Sequence, residues 1–401
     1  MKQSTIPKFA SLCSVAGVMV LGNSMLIPLI PAFRSNLGIS QVQAGLFITL
    51  FSVGAGLTIP IAGFISDHVG RKNVIVPALL LYGLAGGAAG FVSSSINNPF
   101  PFILVARFFQ GVGAGGTFQL AMALTGDIFQ SKERTKALGY LESANGFGKV
   151  LAPLVGSALG LIAWFVPFFA YTAAALPVAA AVWLTVNEPK SNRTRSSPGE
   201  YVRTVGVIIE KKALPLATTF FGGMVVLFLY FGVLSNISDL LSEQYGITGF
   251  SLGLVIAVPV SAMAVTSLLA GRVLTGKPFG LLRMAVTAGL AVAGLSLFGS
   301  VMLSSVYLKV VLVSLMGVGN GVVLPSLNSI ITSSARAQQR GLITALYGTV
   351  RHVGAATGPP VFGLLAGFGA LSHGLAASLA LLAAILTFFF VKESMLGEAA
   401  S

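Results

Sequence analysis

Residues 63 to 72, Gly-Phe-Ile-Ser-Asp-His-Val-Gly-Arg-Lys, are the densest polar cluster in an otherwise apolar chain. Gly63 and Gly70 permit close backbone approach and positive φ. Asp67 and Arg71 stand four apart, a spacing at which opposite charges meet if the segment is helical. Lys72 follows at once. Two chemistries fit: a charged hinge with a breakable ion pair, or a solvated polar turn between two apolar segments. Composition alone leaves both open.

A second group of residues carries polarity into long apolar runs, where ionisable side chains are costly and default to functional roles. Arg107 reads either as a cation facing a cavity or as a tie inside a helix bundle. Glu142, Asn145, Lys149 and Pro153 step by three, four and four, so they share one helical face. Glu142 and Lys149 lie about 10 Å apart along the axis. Glu142 is placed to take up a proton and Lys149 to attract an anionic group; a salt-bridge stripe with no ligand is the equal alternative. Arg351 and His352 interrupt another apolar run; His352 reads as structural. Asn23 and Ser24 lie in the first run. Tyr230 and Phe231 lie in the seventh, whose acid, Asp239, is expected near the outer end.

The elements that hold these residues follow from bulk composition. The 401 residues are 55% hydrophobic and 9% charged, against about 25% charged in soluble domains. Mean hydropathy is +0.90. A spanning helix needs roughly 20 apolar residues, so the chain holds about twelve. The expected spans are 11–33, 41–66, 73–95, 101–127, 137–160 and 162–187, then 213–236, 249–272, 282–305, 307–332, 341–366 and 369–391. The first is read as a retained helix and not a cleaved signal, because its apolar run extends to Phe33 through Pro28 and Pro31. Residues 188–212 read as a polar linker loop between an N-terminal bundle, 1–187, and a C-terminal bundle, 213–401. The nine residues after Lys392 leave no room for a sensor domain.

Charge placement sets orientation. With the N-terminus in the cytoplasm, 19 of the 24 Lys and Arg fall in cytoplasmic segments, a positive-inside bias that also puts the C-terminus there. The +13 formal charge therefore needs no nucleic acid. One cysteine, Cys13, excludes an internal disulfide, and three scattered histidines exclude a zinc constellation. No nucleophile–base pair is visible, so no enzyme, metal or cofactor is expected. Gly111-Val-Gly-Ala-Gly-Gly116 fits a dinucleotide fingerprint, but that motif requires a strand before it; within a membrane helix it serves packing.

The chain repeats itself. Leu37–Leu46 aligns with Tyr245–Leu254 at an offset of 208. Gly111–Gly115 aligns with Gly317–Gly321 at an offset of 206, which also sets Arg134 on Arg340, Gly148 on Gly354 and Pro153 on Pro359. Two parallel six-helix repeats around a central site are a transporter architecture.

These residues resemble the major facilitator superfamily, and within it the twelve-helix drug:proton antiporter branch. Gly63, Asp67, Gly70, Arg71 and Lys72 meet every fixed position of the first-loop motif G-x-x-x-D-x-x-G-R-[KR]. Arg107, Gln110, Gly111 and Gly113 meet the fourth-helix motif R-x-x-Q-G-x-G. Gly148, Pro153 and Gly156 meet the fifth-helix antiporter motif, with Ala152 and Ser157 in place of two glycines; Gly354, Gly358 and Pro359 repeat its first part. Leu21, Gly22, Pro28 and Pro31 fit a first-helix pattern. The resemblance implies an all-α membrane fold and alternating access, the halves rocking about a midplane cavity. It implies a cytoplasmic gate of Gly63, Asp67, Gly70, Arg71, Lys72, Asp127 and Arg134, with Asp127 pairing Arg71 and Asp67 facing the opposite half. Asn23, Arg107, Gln110, Glu142, Asn145, Lys149, Tyr230 and Arg351 are the expected cavity or coupling residues. The acid that several such antiporters carry on the first helix is missing, so Glu142 or Asp127 must serve. The expectation is a monomeric inner-membrane transporter exporting amphipathic molecules in exchange for protons. The alternative is an exporter or flippase of an endogenous anionic solute such as a siderophore, sugar derivative or lipid, motivated by Arg107, Lys149 and Arg351. A receptor or membrane enzyme is a third, disfavoured class.

Overall fold

Proline and glycine break two of the expected spans. The computed structural model describes residues 6–129, 131–189, 198–303, 305–334, 340–368 and 370–393. The first span is α1 (Ile6–Ser24), a 3-10 turn at Ile27–Leu29, and α2 (Ile30–Leu37). Pro28 and Pro31 cannot donate to the helical ladder, and Gly38, with φ of 63°, ends α2. The fourth span is α5 (Phe100–Ala114) and α6 (Thr117–Ile128), parted at Gly115 and Gly116. Gly116 has φ of 82°, a conformation open to glycine. The remaining elements of this half are α3 (Gln41–Val69), α4 (Lys72–Ser95), α7 (Ser131–Gly160) and α8 (Val166–Thr185). A reciprocal pair starts α3: the Gln43 N–H donates to Ser40 Oγ and the Ser40 N–H to Gln43 Oε1, satisfying two of the orphan donors of a helix start.

The linker differs from the expectation. Of residues 188–212, 190–197 lie outside the described residues, but Pro198 onward is helical and runs without interruption to Tyr245 as α9. The segment is polar, but polarity alone does not oppose a helix that continues into an apolar span. After it come α10 (Gly249–Leu274), α11 (Phe279–Val301), α12 (Val306–Ser333), α13 (Arg340–Leu364), a 3-10 turn at Ala366–Phe368 and α14 (Ala370–Phe390). There is no strand among the described residues.

Nine of the described segments are long and apolar enough to cross a membrane. The broken α5–α6 segment and two helices with ionisable residues along their length, α7 and α13, complete the twelve. On α3, Leu57, Ile61 and Ile65 stand exposed in one row, a lipid-facing stripe.

The chain divides into two units, Met1–Arg195 with Gly246–Leu254, and Ser196–Tyr245 with Val255–Ser401. Three helix pairings recur in both units: α1 with α7, α4 with α8 and α4 with α5 in the first; α9 with α13, α11 with α14 and α11 with α12 in the second. The sequence repeat is thus a repeat of packing. Small residues let backbones meet, the usual device where lipid removes the hydrophobic drive. A Cβ on Gly111 would collide with Phe51 O, and one on Gly354 with Met224 O. Aromatic rings fill the first unit's core, where Phe33 stacks on Phe168 and meets Phe47 edge-on.

Candidate functional site

The polar turn between α3 and α4 is built around one glycine. Gly70 has φ of 99°, ending α3 and sending Arg71 away from Asp67. The Asp67–Arg71 pair that a helical segment would allow does not form; Asp67 is exposed. Arg71 Nε instead lies 3.0 Å from Asp127 Oδ2 at the end of α6, with side chains 18% and 31% exposed. A partly exposed pair of this kind contributes at most about 1 kcal/mol, weak enough to open and close. Gly63 has nothing within 4 Å of where a Cβ would sit, so close approach, expected at both glycines, is not its role within the first unit.

Glu188, just after α8, completes the cluster and was not singled out from sequence. Its two oxygens accept from the Arg71 and Lys72 N–H groups, each at 2.9 Å. These are orphan donors at the positive end of α4, where a carboxylate is favoured. A Cβ on Gly70 would meet Glu188 Oε2 at 2.9 Å, so this glycine is required twice. Lys72 Nζ donates to Trp183 O at 2.6 Å and lies 4.9 Å from the Trp183 ring centre. Arg134 on α7 lies against Gly126 of α6, where a Cβ would be 3.2 Å from the guanidinium.

Asn23, Arg107 and Gln110 come together deep in the first unit. Arg107 is fully buried. Its Nε donates to Phe47 O at 3.0 Å, Nη1 to Gln110 Oε1 at 2.5 Å, and Nη2 to Gly22 O at 3.0 Å and Asn23 Oδ1 at 2.5 Å. Phe51 lies 4.5 Å from the guanidinium carbon, a cation–π contact. Asn23 Nδ2 passes the network to Ser52 Oγ at 3.0 Å, and Tyr171 Oη donates to Gly22 O at 2.9 Å. Carbonyl and amide oxygens satisfy the charge, and α1, α3 and α5 are tied in one place. Of the two readings of Arg107, the cavity-facing cation is the one this burial opposes. Asn23 and Gln110 share its fate, because they are its acceptors.

The α7 stripe lies apart from that network. Glu142 is exposed, and Asn145 and Lys149 are half-buried. Glu142 was expected to be the intramembrane acid; among the described side chains the buried acid is Asp239 on α9, at 3% exposure. The antiporter-motif residues pack. A Cβ on Gly148 would lie 3.3 Å from Gly17 O, and Gly156 closes against Met25 O. Pro153 is buried. Ser157, one of the two departures from the motif, faces Gly253, whose lack of a side chain makes room for it.

In the second unit, Tyr230 is buried and meets Phe231 edge-on at 4.9 Å. The Arg351 guanidinium lies 5.2 Å from the Tyr347 ring centre. Gly354 and Gly358 bring α13 onto α9, with Pro359 buried beside them. His352 Nδ1 lies 2.9 Å from Gly348 O one turn back.

The family model of the Major Facilitator Superfamily matches residues 12–359, and again 219–399. The chain belongs to that superfamily. Its members are transporters, so the chain is a membrane transporter handling a small-molecule substrate. A curated relative, "Bacillibactin exporter" of Bacillus subtilis (strain 168), is 36% identical over 357 residues, covering 88% of this chain and 89% of the relative. "Multidrug resistance protein 2" of the same organism is 27% identical, covering 91% and 89%. Among solved structures, a bacterial homolog of the human lysosomal transporter Spinster, inward-facing and occupied, superposes with a TM-score of 0.78 at 15% identity over all of both chains. The D-xylose-proton symporter superposes with a TM-score of 0.76 at 14% identity, covering 98% of this chain and 99% of that one. These structures share the superfamily fold with this chain and, at such identities, nothing finer.

Proposed function

We propose that this superfamily member exports an anionic small molecule in exchange for protons, by alternating access, as a monomer of the inner membrane with both termini in the cytoplasm. It performs no chemistry on its solute. The observation that carries the reading is the match along nearly the whole chain to a bacillibactin exporter. Two half-buried cations, Lys149 and Arg351, support an anionic solute. Glu142 takes the proton role, as the acid on the Lys149 stripe. The α3–α4 turn with Asp127, Arg134 and Glu188 serves as the cytoplasmic gate.

A second reading, efflux of amphipathic drugs, is favoured by the 27% match to a multidrug resistance protein over 91% of the chain. Proteoliposomes separate the two when loaded in parallel with bacillibactin and with a lipophilic cation such as ethidium. The proposal expects bacillibactin transport, reduced about tenfold in Lys149→Ala, the loss of one charge-assisted contact. Ethidium transport without bacillibactin transport would replace it with the drug reading.

A further inference from the structure

Arg107 and Arg351 offer an internal comparison. Both are arginines within apolar helices. Arg107 has four hydrogen bonds to oxygen acceptors and two aromatic neighbours. Arg351 has Tyr347 beside it, the ring centre 5.2 Å from the guanidinium and the hydroxyl within hydrogen-bond reach, and among the described residues no carboxylate pairs with its charge. Its Nε is nonetheless shut off from solvent. A buried charged donor left unmet costs the desolvation of that group.

The same surface holds a second unmet donor. Tyr347 stands four residues before Arg351, hence on the same face of α13. It is 1% exposed, and its hydroxyl, beside the Arg351 guanidinium, has no acceptor for its own proton. The ring is held in place by α9: Phe220 lies 5.8 Å away, ring centre to ring centre. Gly223 leaves the space the ring fills, since a Cβ there would collide with it. A glycine on one helix, a seated tyrosine and an arginine stacked over it make a built arrangement of two donors with no anionic acceptor among the described residues.

The sequence repeat shows that this arrangement is no copy of the Arg107 tie. At the offset of 206 that aligns the later helices, Arg107 corresponds to Val313, while Arg351 corresponds to Asn145 and Tyr347 to Leu141. The second unit therefore carries its cation on a different helix.

We infer that Arg351 and Tyr347 form a subsite for an organic oxyanion in the second unit, the guanidinium pairing with the charge and the tyrosine hydroxyl donating to the same group. Guanidinium matches the planar, two-oxygen geometry of a carboxylate, and a phenolate oxygen meets the same two donors. This deepens the export reading and rests on it for the oxyanion's being cargo.

Benzoate and its neutral analogue benzamide are the probes, titrated calorimetrically against the purified full-length protein in detergent. The wild type binds benzoate saturably and more tightly than benzamide. Arg351→Gln weakens benzoate at least about tenfold and Tyr347→Phe about threefold to tenfold, the losses expected for a charged and a neutral hydrogen bond. Arg351→Lys recovers part of the loss, and benzamide affinity stays constant throughout. Thermal unfolding of each variant separates a lost subsite from a lost fold. No saturable benzoate binding by the wild type, equal binding of the two probes, or undiminished benzoate binding by folded Arg351→Gln would overturn the subsite. Failure of the export reading looks different: the benzoate pattern persists while proteoliposomes transport neither bacillibactin nor ethidium.

Discussion

A buried arginine is decided by where its five N–H donors point. Arg107 was visible in the sequence as a rare charge in an apolar run, and its motif named Gln110 as a companion. The other acceptors were not visible: Gly22 O and Phe47 O are backbone atoms, and main-chain groups freed at a helix break leave no mark on residue identity. The geometry makes a stability prediction. Arg107→Lys keeps the charge but replaces a fork with a compact ammonium of three donors, so it cannot reach all four acceptors. Its melting temperature in detergent should fall, and Arg107→Ala, which leaves buried carbonyl and amide acceptors unmet, should cost at least about 1–3 kcal/mol. An unchanged melting temperature in Arg107→Lys would show that the network is not a structural tie. Asp239 gives the converse lesson: the sequence places it near the outer end of a span and leaves its burial open, and the structure buries it, because depth in a sequence window does not report which face of a helix meets its neighbours.

At the scale of elements, helix existence was legible and helix continuity was not. Twelve apolar runs are a composition signal, and all twelve appear as helical segments. The breaks at Pro28 and Gly115–Gly116 depend on how neighbours take up the freed backbone groups, as Arg107 does with Gly22 O. The continuous α9 was missed because its first turns are polar, and polarity was read as loop. The start of α4 was half legible: the motif marked Gly70, Arg71 and Lys72, but Glu188 lies more than a hundred residues away, where only the fold brings it near. Glu188→Ala should leave two orphan N–H groups and remove a charge from the α4 N-terminus, costing about 0.5–2 kcal/mol. Thermal unfolding measures it, and Glu188→Gln, which keeps an acceptor oxygen, should recover part of the loss. If Glu188→Ala unfolds with the wild type, the carboxylate is not holding the turn.

At the scale of the molecule, the repeat was readable as offsets of 206 and 208, and the structure shows it as the same helix pairings in both units. The halves differ in their chemistry. The first unit hides its arginine among acceptors and exposes Glu142, whereas the second sets Arg351 beside Tyr347 with no carboxylate to pair it among the described residues. Substrate identity was not legible, because no motif records which side chains of many helices face a cavity. The most direct test of proton-driven export is uptake of bacillibactin into inverted membrane vesicles, with and without an acid-inside pH gradient. The account predicts accumulation that collapses when an uncoupler removes the gradient, and that Glu142→Gln abolishes while bacillibactin binding remains. Equal accumulation with and without the gradient would contradict it.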